Sequence, residues 1–164
     1  MAHTAYLSLG TNIGDKEQNL LVAIEKIITR IGAITSQSSF ISTAPWGFES
    51  ENNFLNACIC ISTKLSPIGL LDASQAIERE MGRTLKSSSQ QMPDGSVKSI
   101  YHDRIIDIDI LIYDTMKINT PRLTIPHPQM SRRKFVLEPL AEIAPHLIIP
   151  GTCKSVSELL QEIA

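Results

Sequence analysis

The stretch Arg104-Ile105-Ile106-Asp107-Ile108-Asp109-Ile110-Leu111-Ile112-Tyr113 decides how the rest of the chain is read. Isoleucine recurs at 106, 108, 110 and 112, the period of two expected of a strand with an unbroken apolar face. Asp107 and Asp109 share the opposite face, with backbones roughly 6.5–7 Å apart, close enough for both carboxylates to grip one magnesium or bridge two. Two aspartates on an exposed face could also keep a sheet edge soluble. Side by side, however, they repel each other, and Asp is a poor strand former, so the metal reading is favoured. An EF-hand is excluded, because its loop would need a ligand at Leu111 and a glycine just beyond it.

Upstream, Arg104 begins this strand and Arg83 ends a helix. The intervening residues 84–103 are rich in Lys, Ser, Gln, Pro and Gly and exceed the usual loop length, so they are expected to form a mobile lid. Two guanidiniums approaching from that lid would neutralise charge on a transferring phosphoryl group, which makes Arg83 and Arg104 candidate catalytic residues. The preceding helix opens at Ser66 and Pro67, carries the inward stripe Leu70, Ala73, Ile77 and Met81, and closes at Gly82. Gln75 and Glu78 lie at the margin of that stripe. Before it, Phe54 to Thr63 alternates as a central strand, with Leu55, Ala57, Ile59 and Ile61 on one face and Phe54, Asn56, Cys58 and Cys60 on the other.

Nearer the N-terminus, Tyr6 to Leu9 reads as a short strand. A helix over about 16–31 follows, capped by Asp15, with Gly32 suited to the position past its end. Ala33 to Thr43 is extended and ends in the turn Ala44-Pro45-Trp46-Gly47. Downstream come a short strand near 116–118, a proline-rich segment from Pro121 to Pro128, and helices over about 131–143 and 155–163. This order of elements is that of a ferredoxin-like βαββαβ sandwich of the α+β class, with added C-terminal helices.

Phe54 and Asn56, with Trp46 and Phe135 from neighbouring loops, could sandwich a planar heterocycle while an amide reads its edge. His127, held between two prolines, and Arg132-Arg133 at a helix head offer donors for anionic oxygens. No P-loop and no kinase glycine-rich loop is present, so a standard ATP cradle is absent.

The 164 residues, 43% hydrophobic, suit one domain spanning 1–164. A net charge of -2 gives no bulk positive field to attract nucleic acid or a membrane, and neither partner is expected. With no long apolar run and no signal-peptide pattern at the start, the cytoplasm is the expected location. Cys58, Cys60 and Cys153 form no CxxC pair, and the two alternating cysteines read as small buried hydrophobes.

The segments Ser8-Leu9-Gly10-Thr11-Asn12, Thr43-Ala44-Pro45-Trp46-Gly47, Phe54-Leu55-Asn56-Ala57, Gln75 to Arg83, Arg104 to Leu111 and Ile125 to Leu140 together resemble the 6-hydroxymethyl-7,8-dihydropterin pyrophosphokinase family over essentially the whole chain. The resemblance implies a ferredoxin-like fold and attack of the pterin hydroxymethyl oxygen on the β-phosphorus of ATP, giving the pterin diphosphate and AMP. It also implies that Asp107 and Asp109 hold two magnesium ions and that Arg83 and Arg104 are the lid arginines. By the same resemblance, Gln75, Glu78, Arg104, Ile110, His127 and Arg133 contact the nucleotide. Thr43, Ala44, Pro45, Trp46, Phe54, Asn56 and Phe135 line the pterin pocket. Where the family commonly has a further lid arginine this chain has Leu85, with Lys86 standing in. Tyr101 replaces an aromatic lid residue and is expected to touch both substrates, and Ala44 replaces a proline. A monomer is expected, acting on ATP and hydroxymethyldihydropterin. The rival readings are another two-metal transferase, such as a nucleotidyl transferase, and a ferredoxin-like ligand-binding module.

Overall fold

The structure is a computed structural model and describes residues 2–43, 53–82, 90–91, 97–98 and 105–163. Its framework is an antiparallel sheet built from β1 (His3–Thr11), β2 (Gly32–Gln37), β4 (Phe54–Thr63) and β7 (Asp107–Tyr113), in the order β2-β4-β1-β7. A short β3 (Ile41–Thr43) continues along β4 beyond β2. Two helices make the crossovers, α1 (Lys16–Arg30) between β1 and β2 and α2 (Pro67–Glu80) between β4 and β7. Both start as their caps dictate: the Asp15 carboxylate accepts from the Gln18 N–H, and the Ser66 hydroxyl accepts from the Gly69 N–H.

One face of the sheet is apolar along its length. Leu7 and Leu9 of β1, Ala57, Ile59 and Ile61 of β4, and Ile108 and Ile110 of β7 meet Leu20, Ala23 and Ile27 of α1 and Leu70 and Ile77 of α2. Each fully buried leucine or isoleucine contributes about 1.5–3 kcal/mol, and this face carries the larger of the two apolar cores. Gly32 is needed here for a different reason from the helix end expected of it. It already begins β2, and a Cβ on it would lie 1.9 Å from the Ser62 carbonyl oxygen.

The other face is divided. Helices α3 (Lys134–Ile143) and α4 (Val156–Ile163) close a second core over one half of it, where Val136, Leu137, Leu140 and Leu159 pack on Cys58 and Ile112. The other half carries Phe54, Asn56, Gly10, Asp107 and Asp109, placed there by alternation along β4, β1 and β7.

Three local expectations are corrected. The isoleucine face of β7 is broken by a β-bulge: Leu7 pairs with Ile110 but Tyr6 pairs with Ile112, which leaves Leu111 as an extra residue. The strand therefore changes phase, so that Ile112 enters the second core and Tyr113 enters the first. Residues 84–103 are not wholly irregular, since β5 (Gln90–Gln91) pairs with β6 (Val97–Lys98), while the rest of the expected lid lies outside the described residues. The short strand near 116 is β8 (Ile118–Asn119), paired with β9 (Thr124–Ile125), and α3 is preceded by a 3-10 turn over Met130–Arg132. Among the described residues no helix is long and apolar enough to cross a membrane.

Candidate functional site

The polar half of the divided face is ordered by strand register. Asn56 of β4 stands opposite Gly10 of β1, and Gly10 stands opposite Asp107 of β7, so amide, glycine and carboxylate form one row across three strands. The next row is Cys58, Ser8 and Asp109, on the border of the second core. Both aspartates are half-buried.

Asn56 is only 3% exposed, and its Nδ2 donates to Thr43 Oγ1 at 2.8 Å. Thr43 is placed for this because β3 pairs with the start of β4, Thr43 opposite Phe54. A Cβ on Gly10 would stand 3.0 Å from Asn56 Oδ1 and 3.8 Å from the Phe54 ring, so the missing side chain is what lets the amide and ring lie over β1. Phe135, in the first turn of α3, packs at the edge of the second core, and the Arg133 guanidinium lies over its ring, 5.5 Å from the centroid. Ala44, Pro45 and Trp46 lie outside the described residues.

A groove of about 240 Å³ runs along the outer edge of β7 and is lined by Leu71 of α2, Ile108, Asp109 and Ile110, and by Arg122, Thr124 and His127 of the proline-rich segment. His127 is held by its backbone, whose N–H donates to the Leu111 carbonyl at 2.9 Å, the carbonyl of the bulge residue. Its ring Nδ1 accepts from the Gln129 N–H at 3.2 Å, which leaves the proton of the neutral ring on Nε2. Burial first, and then the Arg133 charge, hold the imidazole below its usual pKa, against a smaller opposing pull from Asp107. The ring is therefore a neutral donor at physiological pH, within electrostatic reach of the Arg133 guanidinium and the Asp107 carboxylate.

Gln75 is drawn to the groove through Arg122, which donates to Gln75 Oε1 at 3.5 Å and also pairs with Asp72. Ile110 lines it too, with its side chain counted in the first core. Arg133 donates to Gln129 and heads α3. Glu78 departs from the expected helix margin: it is 2% exposed, and its Oε2 accepts from the Ile108 N–H at 2.8 Å.

Arg83, Lys86, Tyr101 and Arg104 lie outside the described residues. The chain neighbours of the two arginines are nevertheless side by side. Gly82, with φ +108, sits so close that a Cβ on it would come within 2.8 Å of the Ile105 side chain, and the two ends of the 83–104 segment start from that contact. Reading the sequence for site residues passed over three that line the groove, Arg122, Thr124 and Leu71. The signal available for Arg122 was a cation between Pro121 and the Pro126-His127-Pro128 turn.

Among the described residues no group of three or more His, Cys, Asp or Glu side chains could hold a metal. Two carboxylates two residues apart suit magnesium, which keeps several waters and completes its shell with substrate phosphates.

Residues 6–145 match the model of a family described as 7,8-dihydro-6-hydroxymethylpterin-pyrophosphokinase (HPPK). The chain is 47% identical over 143 residues to the 2-amino-4-hydroxy-6-hydroxymethyldihydropteridine pyrophosphokinase of Porphyromonas gingivalis, covering 87% of this chain and 91% of that one. It is 39% identical over 160 residues to the enzyme of the same name from Methylorubrum extorquens, covering 97% and 92%. A crystal structure of wild-type Plasmodium falciparum HPPK-DHPS with pteroate shares the fold at a TM-score of 0.76 and 16% identity. The match covers 99% of this chain and 42% of that longer one.

Proposed function

The chain belongs to the 7,8-dihydro-6-hydroxymethylpterin-pyrophosphokinase family, and we propose that the polar half of the sheet face is where it transfers pyrophosphate from ATP to 6-hydroxymethyl-7,8-dihydropterin. The products are the pterin diphosphate and AMP, a step of folate biosynthesis. The observation that carries this placement is the row Asn56, Gly10, Asp107. Two strand spacings, about 10 Å, separate an amide able to read a heterocycle edge from a carboxylate able to hold a phosphate-bound cation. That distance is about the length of a pterin with its one-carbon arm.

In this reading Asn56 and Thr43 bind the ring edge, Phe54 and Phe135 stack on it, and Ala44, Pro45, Trp46 and Tyr101 complete the pocket. Asp107 and Asp109 hold two magnesium ions. Magnesium bound there would supply positive charge to neutralise the phosphates and acidify the hydroxymethyl group. Gln75, Ile110, His127, Arg133, Lys86 and Tyr101 bind the nucleotide along the outer edge of β7. The neutral His127 ring donates through Nε2 to a phosphate or ribose oxygen. Arg83 and Arg104, next to the touching Gly82 and Ile105, close over the phosphates from a lid at 84–103 and stabilise charge as the bond between the β-phosphorus and the leaving AMP oxygen breaks. The strand order and the two helical crossovers support a ferredoxin-like sandwich with added C-terminal helices. Residues 1–164 form one pyrophosphokinase domain, which acts in the cytoplasm as a monomer.

Phosphorus NMR of ATP incubated with the pterin, with and without magnesium, tests the reading. AMP should appear only when both the pterin and magnesium are present. ADP or inorganic pyrophosphate as the primary product would sink it and favour a different two-metal transferase.

A further inference from the structure

We infer that Glu78 is a positioning residue for the pyrophosphoryl transfer proposed above, pinning the strand between Asp107 and Asp109 through the Ile108 N–H. The inference rests on that proposed reaction for its functional meaning and on the packing for its geometry. Among the described residues β7 is the last strand of the sheet, with β1 on one side and no strand on the other. In an antiparallel pair successive residues direct both their N–H and their C=O alternately toward and away from the partner strand. Ile108 donates to Glu78 rather than to β1, so its N–H lies on the outer edge, where an unpaired donor would otherwise be left against the protein interior.

Glu78 fills the place of the missing strand at one point. It reaches that point from the last turns of α2, and just past the helix Gly82 lies against Ile105, just ahead of β7. A carboxylate 2% exposed on a helix otherwise facing apolar side chains is costly to bury. The strand it holds carries an aspartate on each side of Ile108. A shift or twist of the strand there would carry both carboxylates with it, so the bond from the helix fixes their spacing and height above the sheet. Glu78 thereby acts through the strand, with no need to touch the nucleotide.

Two variants separate this role from direct contact with ATP. Glu78→Gln keeps an acceptor at the same reach, and Glu78→Met keeps the volume and removes the acceptor. Amide hydrogen exchange at Ile108, followed by NMR, should speed up at least tenfold in Glu78→Met and stay near wild type in Glu78→Gln. Manganese titration of the enzyme with ATP present should show metal binding weakened by about 10–100-fold in Glu78→Met and largely restored in Glu78→Gln, the range found when a ligand's supporting partner is removed. kcat should fall with the metal affinity while KM for ATP and pterin binding measured without metal stay within about twofold of wild type. If Glu78→Met does not fold, Glu78→Asp, too short to reach Ile108, takes its place with the same expectations.

The proposal is overturned if both variants raise KM for ATP alike with kcat intact, which marks a direct nucleotide contact. It is equally overturned if Glu78→Met loses Ile108 protection yet keeps wild-type metal affinity and kcat. Exchange and metal titration need no turnover, so a wild-type enzyme that makes no AMP would overturn the reaction and leave these readouts to judge Glu78.

Discussion

The two faces of the central sheet solve different problems with the same strands. One is apolar from Ala5 to Leu9 on β1 and from Ala57 to Ile61 on β4, and is covered by α1 and α2. The other is apolar only where α3 and α4 lie on it, and it gives way to Gly10, Asn56, Asp107 and Asp109 at the far end. A strand alternates, so a residue can be changed on one face without touching the other. The first face can hold the fold together while the second places carboxylates side by side, an arrangement that opposes folding by mutual repulsion. Stability and chemistry are therefore separable here at the level of single residues.

The strongest way to break that contrast is Asp109→Ala. Losing one ligand of a charge-neutralising cation should lower kcat by about a hundred- to a thousandfold, since several kcal/mol of transition-state stabilisation go with it. The melting temperature should hold within a few degrees. If circular dichroism shows the variant unfolded while any refolded fraction keeps its turnover, the carboxylate belongs to the fold and the contrast fails. The reverse experiment is Ile59→Ala on the apolar face. It should cost about 2–5 kcal/mol in urea unfolding, with kcat per folded molecule unchanged.

Gly10→Ala sharpens the contrast within the polar half. Its new methyl meets Asn56 Oδ1 at 3.0 Å, so pterin affinity measured by fluorescence should weaken about tenfold, roughly the 1.4 kcal/mol of one displaced hydrogen bond. ATP binding along the outer edge of β7 should hardly change.

The smallest effect concerns the border between the halves. Burial first raises the Cys58 thiol to about 12, above its ordinary 9.0, while a hydrogen bond to Ser8 opposes the rise. A thiol kept protonated in the folded chain but free to ionise in the unfolded one favours unfolding as pH climbs between those values. Stability measured by denaturation should therefore decline above about pH 9, and a Cys58→Ala variant should decline less steeply. In native protein an aromatic disulfide reagent should modify the exposed Cys153 and spare Cys58. Rapid labelling of Cys58 would mean that α3 does not stay seated on this half.

Much of this was legible before any coordinates. The caps Asp15 and Ser66, the alternation of β4 and the aspartate pair of β7 are local signals, each read from a few neighbouring residues, and each stands where it was expected. What escaped notice depends on partners distant in sequence. Glu78 looks like a helix-margin charge until the Ile108 N–H is found 30 residues away. Gly32 reads as a helix stop until Ser62 is brought against it. Arg122 gave no periodic signal because its role depends on Gln75 and Asp72, across the groove on another element. The extra residue in β7 was hidden by chemistry rather than distance, since Ile110, Leu111 and Ile112 are equally apolar and either phase fits them.

That extra residue works as a frameshift written into the fold. Upstream of Leu111, odd positions of β7 carry the two aspartates on the polar half and even ones enter the first core; downstream the parity is exchanged. Counting onward by twos from Asp107 and Asp109 would place a functional side chain at Tyr113, which is instead fully buried, its hydroxyl donating to the Leu65 carbonyl. The carbonyl at the shift takes the His127 N–H, so the residue that ends the aspartate-bearing phase of the strand also ties down the histidine beside it. Deleting Leu111 would leave composition, charge and hydropathy almost untouched, yet it would put the remaining strand out of step with both cores and remove that tether in one stroke.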